Sequence, residues 1–139
     1  METHRKGDLT EAIVIAELTK REVPVSIPFG DNERYDIVVE TPRGGLLRTQ
    51  IKTGWLNDGT IRVKGHSQHT NSTGNTDKLY DSADVDYFIA YCHELETMYW
   101  INEDGFDSSI RLRVEEPKQV KSSINWAGEY EFDASWPPG

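Results

Sequence analysis

Apolar residues recur along this chain first at helical and then at strand spacing. From Lys6 to Arg21, Leu9, Ala12, Ile13, Ala16 and Leu18 fall at helical intervals, with Val14 and Ile15 widening the face. This predicts an opening helix, capped by Asp8 or Thr10 and ended by Pro24. Val23 to Phe29 is short, apolar and bracketed by prolines, which predicts a strand, and Gly30-Asp31-Asn32 a turn. Tyr35 to Glu40 (YDIVVE) is the clearest strand, entered through Asp36. After the turn at Thr41 to Gly45, Leu46 to Thr53 (LLRTQIKT) returns antiparallel to it.

Further strands are predicted at residues 60–64 (TIRVK), 85–92 (VDYFIAYC), 97–101 (TMYWI) and 110–114 (IRLRV), the middle two as a hairpin. Gly65 to Lys78 has almost nothing to bury and reads as a functional or unstructured loop. The tail from Lys118 to Gly139 is mixed, with an aromatic-rich NWAGEYEF segment. The order of helix, three strands, polar segment and strand is that of a single α/β domain over residues 1–139, with a sandwich-like plan.

Composition fits a folded domain, with 36% hydrophobic and 28% charged residues. Charge complicates the picture: 24 acidic against 15 basic residues give a net charge of −9, the wrong sign for a protein held to nucleic acid by phosphate contacts. Either the chain does not bind nucleic acid, or it is halophilic and keeps a local cationic patch on an acidic, salt-screened surface. The sequence favours the second account. A lone cysteine, Cys92, excludes an internal disulfide and points to a reducing compartment. The polar N-terminus and the absence of an apolar run of about 20 residues predict a cytoplasmic protein without a membrane partner.

The candidate chemistry lies in four residues. Glu11 sits on the polar side of the first helix, Asp36 opens the clearest strand, and Gln50 and Lys52 lie two apart on the next, on one face of the sheet. A hairpin would bring Asp36 beside Gln50 and Lys52. Hard oxygen ligands of this kind suit Mg²⁺, and a neighbouring lysine can orient a water and offset charge growing on a phosphate.

Gly7 and Glu11, Arg34-Tyr35-Asp36 and Gln50-Ile51-Lys52 together resemble the PD-(D/E)XK nuclease signature. The likeness is to the branch of the cyanobacterial group I intron-associated homing endonuclease, in which Gln replaces the acidic residue. It extends through VDYFIAYC, MYWI, IRLRVEEP and INWAGEYEF, about residues 5 to 132. Two departures stand out: Tyr35 replaces the proline, and the neutral Gln50 removes one negative charge.

The resemblance implies an α-β-β-β-α-β core with a central mixed sheet, divalent-metal catalysis with Mg²⁺ (or Mn²⁺ in its place), and a homodimer or homotetramer acting on double-stranded or branched DNA. It carries Glu11, Asp36, Gln50 and Lys52 into the active site. Asp36, Gln50 and the main-chain carbonyl of Ile51 would hold the metal, with Glu11 acting on it through water. Homing-type cleavage, Holliday-junction resolution of the archaeal type, and a catalytically inactive DNA-binding or assembly module all stay open.

DNA contacts call for cations on the face of Lys52. Arg62 and Lys64 alternate along one strand and run into His66, Ser67 and Asn71, the best phosphate-and-groove candidates; Arg111 and Arg113 are a second pair. His66 and His69 have the spacing of a zinc pair but lack further ligands at a recognised spacing.

Overall fold

The computed structural model describes residues 2–30, 33–64, 66–71, 74–79, 85–102, 109–115 and 124–138, without the side chains of Thr3, 66–71 and 74–79. Helix α1 spans Thr3–Lys20. Its N-cap is Glu2, so Asp8 and Thr10, expected as caps, lie inside it. The reason is that Thr3, His4 and Arg5 continue the helix with polar residues that apolar periodicity cannot detect. Among the described residues no helix is long and apolar enough to cross a membrane.

The strand expected over Val23–Phe29 shrinks to β1, Val25–Ser26, at the sheet edge beside β2, Ile37–Glu40. β2 pairs antiparallel with β3, Leu46–Asn57, in the order expected, with Ile37 opposite Thr49 and Glu40 opposite Leu46. β3 turns through Asp58-Gly59 into β4, Thr60–Lys64. Both turn residues have positive φ, +53° and +70°, the backbone a two-residue hairpin requires, which makes Asp-Gly apt there.

β7, Tyr87–Cys92, runs parallel to β3 over Thr49 to Gly54 and antiparallel to β8, Thr97–Asn102; β9, Ser109–Arg113, pairs with β4. Buried on both faces, β7 reads as an unbroken apolar run. Ile89 and Tyr91 face α1 with Val14, Leu18, Ile37, Val39, Ile51, Trp100 and Phe132. Phe88, Ala90 and Cys92 join Ile61, Val63, Val85, Ile101, Ile110 and Leu112 on the other side. The aromatic tail forms two short helices, α2 (Ala127–Tyr130) and α3 (Phe132–Ser135). α3 places Phe132 against Trp100, whose ring stacks on Tyr87 at 4.2 Å.

The mixed sheet flanked by helices is the fold class expected. Among the described residues, the stretch between β3 and β7 holds strands and the Asp58-Gly59 turn. The polar stretch read as a loop contains β5, His66–Asn71, and β6, Gly74–Leu79, paired in a sheet of their own. A hairpin without an apolar face leaves no period-2 signal in the sequence.

Candidate active site

The site lies where β3 changes partners. β3 pairs β2 up to Thr49 and β4 from Trp55, and its residues 50–54 pair with β7 alone among the described strands. In the gap, Asp36 takes the place of a strand neighbour. Its own amide donates to the carbonyl of Thr49 at 2.9 Å, and its Oδ2 accepts the amide hydrogen of Ile51 at 2.7 Å. Because a strand residue sends its N–H and C=O to the same edge, the Ile51 carbonyl also leaves β3 on the Asp36 side.

α1 packs over this gap and brings Glu11 to Asp36, and the two carboxyls hydrogen-bond each other. Burial, and then the neighbouring Asp36 charge, push Glu11 up to about 7. Burial also raises Asp36, against the opposing pull of the Ile51 amide, Glu11 and Lys52. The pair therefore holds a proton more readily than free carboxylates would. Lys52 is lowered by burial and partly restored by the charge of Asp36. Two half-buried carboxyls forced to share a proton beside one lysine form an environment in which a further cation would replace that proton favourably.

Of the four residues expected from sequence, Glu11, Asp36 and Lys52 thus converge. Gln50, one step beyond the Ile37–Thr49 pair, stands opposite Asp36 in the register and shares a strand face with Lys52. Among the described residues no group of three or more His, Cys, Asp and Glu side chains could hold a metal. The two carboxylates and the Ile51 carbonyl beside them, with Gln50 opposite Asp36 in the register, are of a chemistry that fits a hard divalent cation that keeps several waters.

A family model for PD-(D/E)XK endonucleases matches residues 1–133. The chain belongs to the PD-(D/E)XK endonuclease family. Among solved structures, this family member is similar to the bacterial homing endonuclease I-Ssp6803I, at 28% identity and a TM-score of 0.78 over 96% of this chain and 90% of that one. A sequence comparison with curated proteins finds no match. The family and fold expected from Glu11, Asp36 and Gln50-Ile51-Lys52 are borne out, and the chain is a nuclease by family.

The cations of this PD-(D/E)XK chain are arranged differently from expectation. Arg62 and Lys64 are exposed on β4, but Arg62 pairs with Trp55, on the β3 face that carries Thr53. Lys52 shares the opposite face with Gly54, where a Cβ would come within 2.7 Å of Ile61. Strand alternation therefore turns Arg62 and Lys64 away from the face of Lys52. Across β9, Arg111 stands opposite Arg62, and Lys6 lies 4.3 Å over the Trp55 ring. His66, Ser67 and Asn71 lie on β5, and their side chains are outside the described residues.

Sequence reasoning missed Thr10, Thr53 and His93, whose side chains meet beside the site. Their spacing of 43 and 83 residues leaves no local signal. It also missed Arg48, which grips Asp86 through backbone and side chain and seats the start of β7 on β3.

Proposed function

We propose that the protein is a Mg²⁺-dependent DNA endonuclease that hydrolyses phosphodiester bonds, with Mn²⁺ able to substitute. The observation that carries this reading is the meeting of Glu11, Asp36 and Lys52 at the stretch of β3 left open between β2 and β4. Asp36, Gln50 and the Ile51 carbonyl would hold the ion, and Glu11 would reach it through water. When bound, the ion supplies Lewis-acid polarisation of the phosphate and a lowered pKa for water.

The chain's own groups do the rest. Lys52, drawn towards neutrality by burial, hydrogen-bonds the attacking water and stays close enough to Asp36 to keep its orientation. Glu11, with its raised pKa, gives up its proton as the site fills and can take one back near neutral pH. Asp36 keeps the Ile51 backbone fixed throughout.

DNA as substrate is supported by the family and by the homing endonuclease it resembles. Charge placement offers phosphates a row of cations on the sheet face opposite Lys52. Like charges directly opposite on a sheet are unfavourable, yet Arg62 faces Arg111 across β4 and β9, with Lys64 two positions on and Lys6 nearby over Trp55. Such a row is stabilised by phosphates. We assign backbone contacts to Arg62 and Lys64, extended by Arg111, and groove contacts to His66, Ser67 and Asn71. The net charge of −9 then belongs to a halophilic surface around that row. A double-strand cut needs two such sites, which a symmetric homodimer or homotetramer supplies.

Incubation with supercoiled plasmid and with a four-way junction, in Mg²⁺ at low and at high KCl, tests the reading. Metal-dependent linearisation of duplex supports homing-type cleavage. Symmetric cutting of the junction alone would favour a resolvase, and binding without cleavage an inactive module.

A further inference from the structure

One buried hydroxyl next to the site is saturated in an informative way. Thr10 is 1% exposed. Its Oγ1 donates to the Lys6 carbonyl at 2.9 Å, and it lies 2.8 Å from both Thr53 Oγ1 and His93 Nε2. A hydroxyl has one hydrogen and two acceptor positions. A carbonyl oxygen only accepts, so the hydrogen of Thr10 is committed to Lys6. Thr53 and His93 must then both donate, and His93 carries hydrogen on Nε2.

A helical threonine bonded to the carbonyl four residues back is commonplace. Two further donors arriving from separate elements are not. Thr10 immediately precedes Glu11 on α1, Thr53 immediately follows Lys52 on β3, and His93 immediately follows the last residue of β7. α1 and β3, which carry Glu11 and Lys52, are thus joined with the end of β7 at one oxygen, one residue from Glu11 and one from Lys52. The junction falls within residues 50–54, where β3 lacks the strand pairing that holds it on either side.

We propose that Thr10, Thr53 and His93 are positioning residues, a shared-hydroxyl node that sets how closely Glu11 approaches Asp36 and Lys52. The proposal rests on the nuclease reading above. Without the node, α1 would remain docked through Val14 and Leu18 but would be free to slide over the open stretch of β3. A misplacement of about 1 Å suffices to cost a catalytic constellation about 100-fold.

Thr53→Val removes one donor with little change of shape, and Thr53→Ser keeps it. The full chain is titrated with Mn²⁺ alone by calorimetry, and kcat and KM on plasmid are measured beside thermal unfolding. Thr53→Val is expected to weaken Mn²⁺ binding and lower kcat, each by about 10- to 100-fold, with KM for DNA and the unfolding temperature close to the parent. Thr53→Ser is expected to recover most of both losses. Parental Mn²⁺ affinity and kcat in Thr53→Val would overturn the node while leaving the nuclease reading intact. So would an equal loss in Thr53→Ser, since the methyl packing and not the hydroxyl would then matter. A parent chain that neither binds Mn²⁺ nor cleaves would bring down both.

Discussion

Asp36 accepts the amide hydrogen of Ile51 at 2.7 Å, as an adjacent strand would, and it is also hydrogen-bonded to Glu11. One side chain therefore seals the open edge of β3 and anchors the acidic half of the site. Its two roles can be separated. Asp36→Ala leaves the Ile51 N–H without its partner and is expected to cost about 1–3 kcal/mol of stability. Asp36→Asn keeps an acceptor oxygen and is expected to lose less. Both should abolish cleavage. Urea unfolding of the two variants beside a plasmid assay distinguishes the roles; equal destabilisation by Asn and Ala would count against the seal.

The proton shared by Glu11 and Asp36 makes metal-free stability depend on pH. Glu11 moves from 4.5 in the unfolded chain to about 7 in the folded one. Below 4.5 both states hold the proton, and the full stability is present. Between 4.5 and 7 the folded chain keeps a proton that the unfolded chain has lost, so stability falls as pH rises through this window. Glu11→Gln should flatten the fall. At pH 8 in EDTA the variant should exceed the parent by about 1 kcal/mol, allowing for the solvent-facing side of the carboxyl. Thermal unfolding at pH 5 and pH 8 is the check, and a parent that gains stability over that range would refute the assignment.

Much of this site was legible in the sequence because its residues sit on strongly patterned elements. YDIVVE and LLRTQIKT fix the β2–β3 hairpin, and with it Asp36 opposite Gln50, with Lys52 two positions on along the same face. α1 follows from its apolar face. What was not legible depends on long-range closure. Thr10, Thr53 and His93 become neighbours only once α1, β3 and β7 have packed. The face of Arg62 depends on the tight Asp58-Gly59 turn, which sets Trp55 rather than Lys52 beside it. The β5–β6 hairpin pairs polar segments whose sequence has no apolar alternation to betray them.

Gln50 makes the oxygen set less negative than three carboxylates would be. Gln50→Glu is expected to tighten Mn²⁺ binding by about tenfold. That corresponds to about 1.4 kcal/mol. Without metal it should lower the unfolding temperature at pH 8, because another anion crowds Asp36. Calorimetry and thermal unfolding test the pair of effects, and unchanged Mn²⁺ affinity would remove Gln50 from the metal's reach.

The Arg62–Arg111 row predicts a salt effect independent of DNA sequence. Arg62→Ala with Arg111→Ala should weaken binding uniformly to unrelated duplexes. It should also make the slope of log affinity against log salt shallower by about 0.9 for each phosphate that is no longer neutralised. Fluorescence anisotropy in Ca²⁺ over a KCl series measures this, and an unchanged slope would place the DNA elsewhere.

The most direct test of the central claim is single-turnover cleavage of plasmid in Mg²⁺ by the parent, Lys52→Ala and Asp36→Ala, with EDTA as control. Metal-dependent cleavage by the parent, with at least about a 100-fold loss in each variant, is the predicted result. Cleavage that survives undiminished in both variants would show that the reaction occurs somewhere other than the gap between β2 and β4.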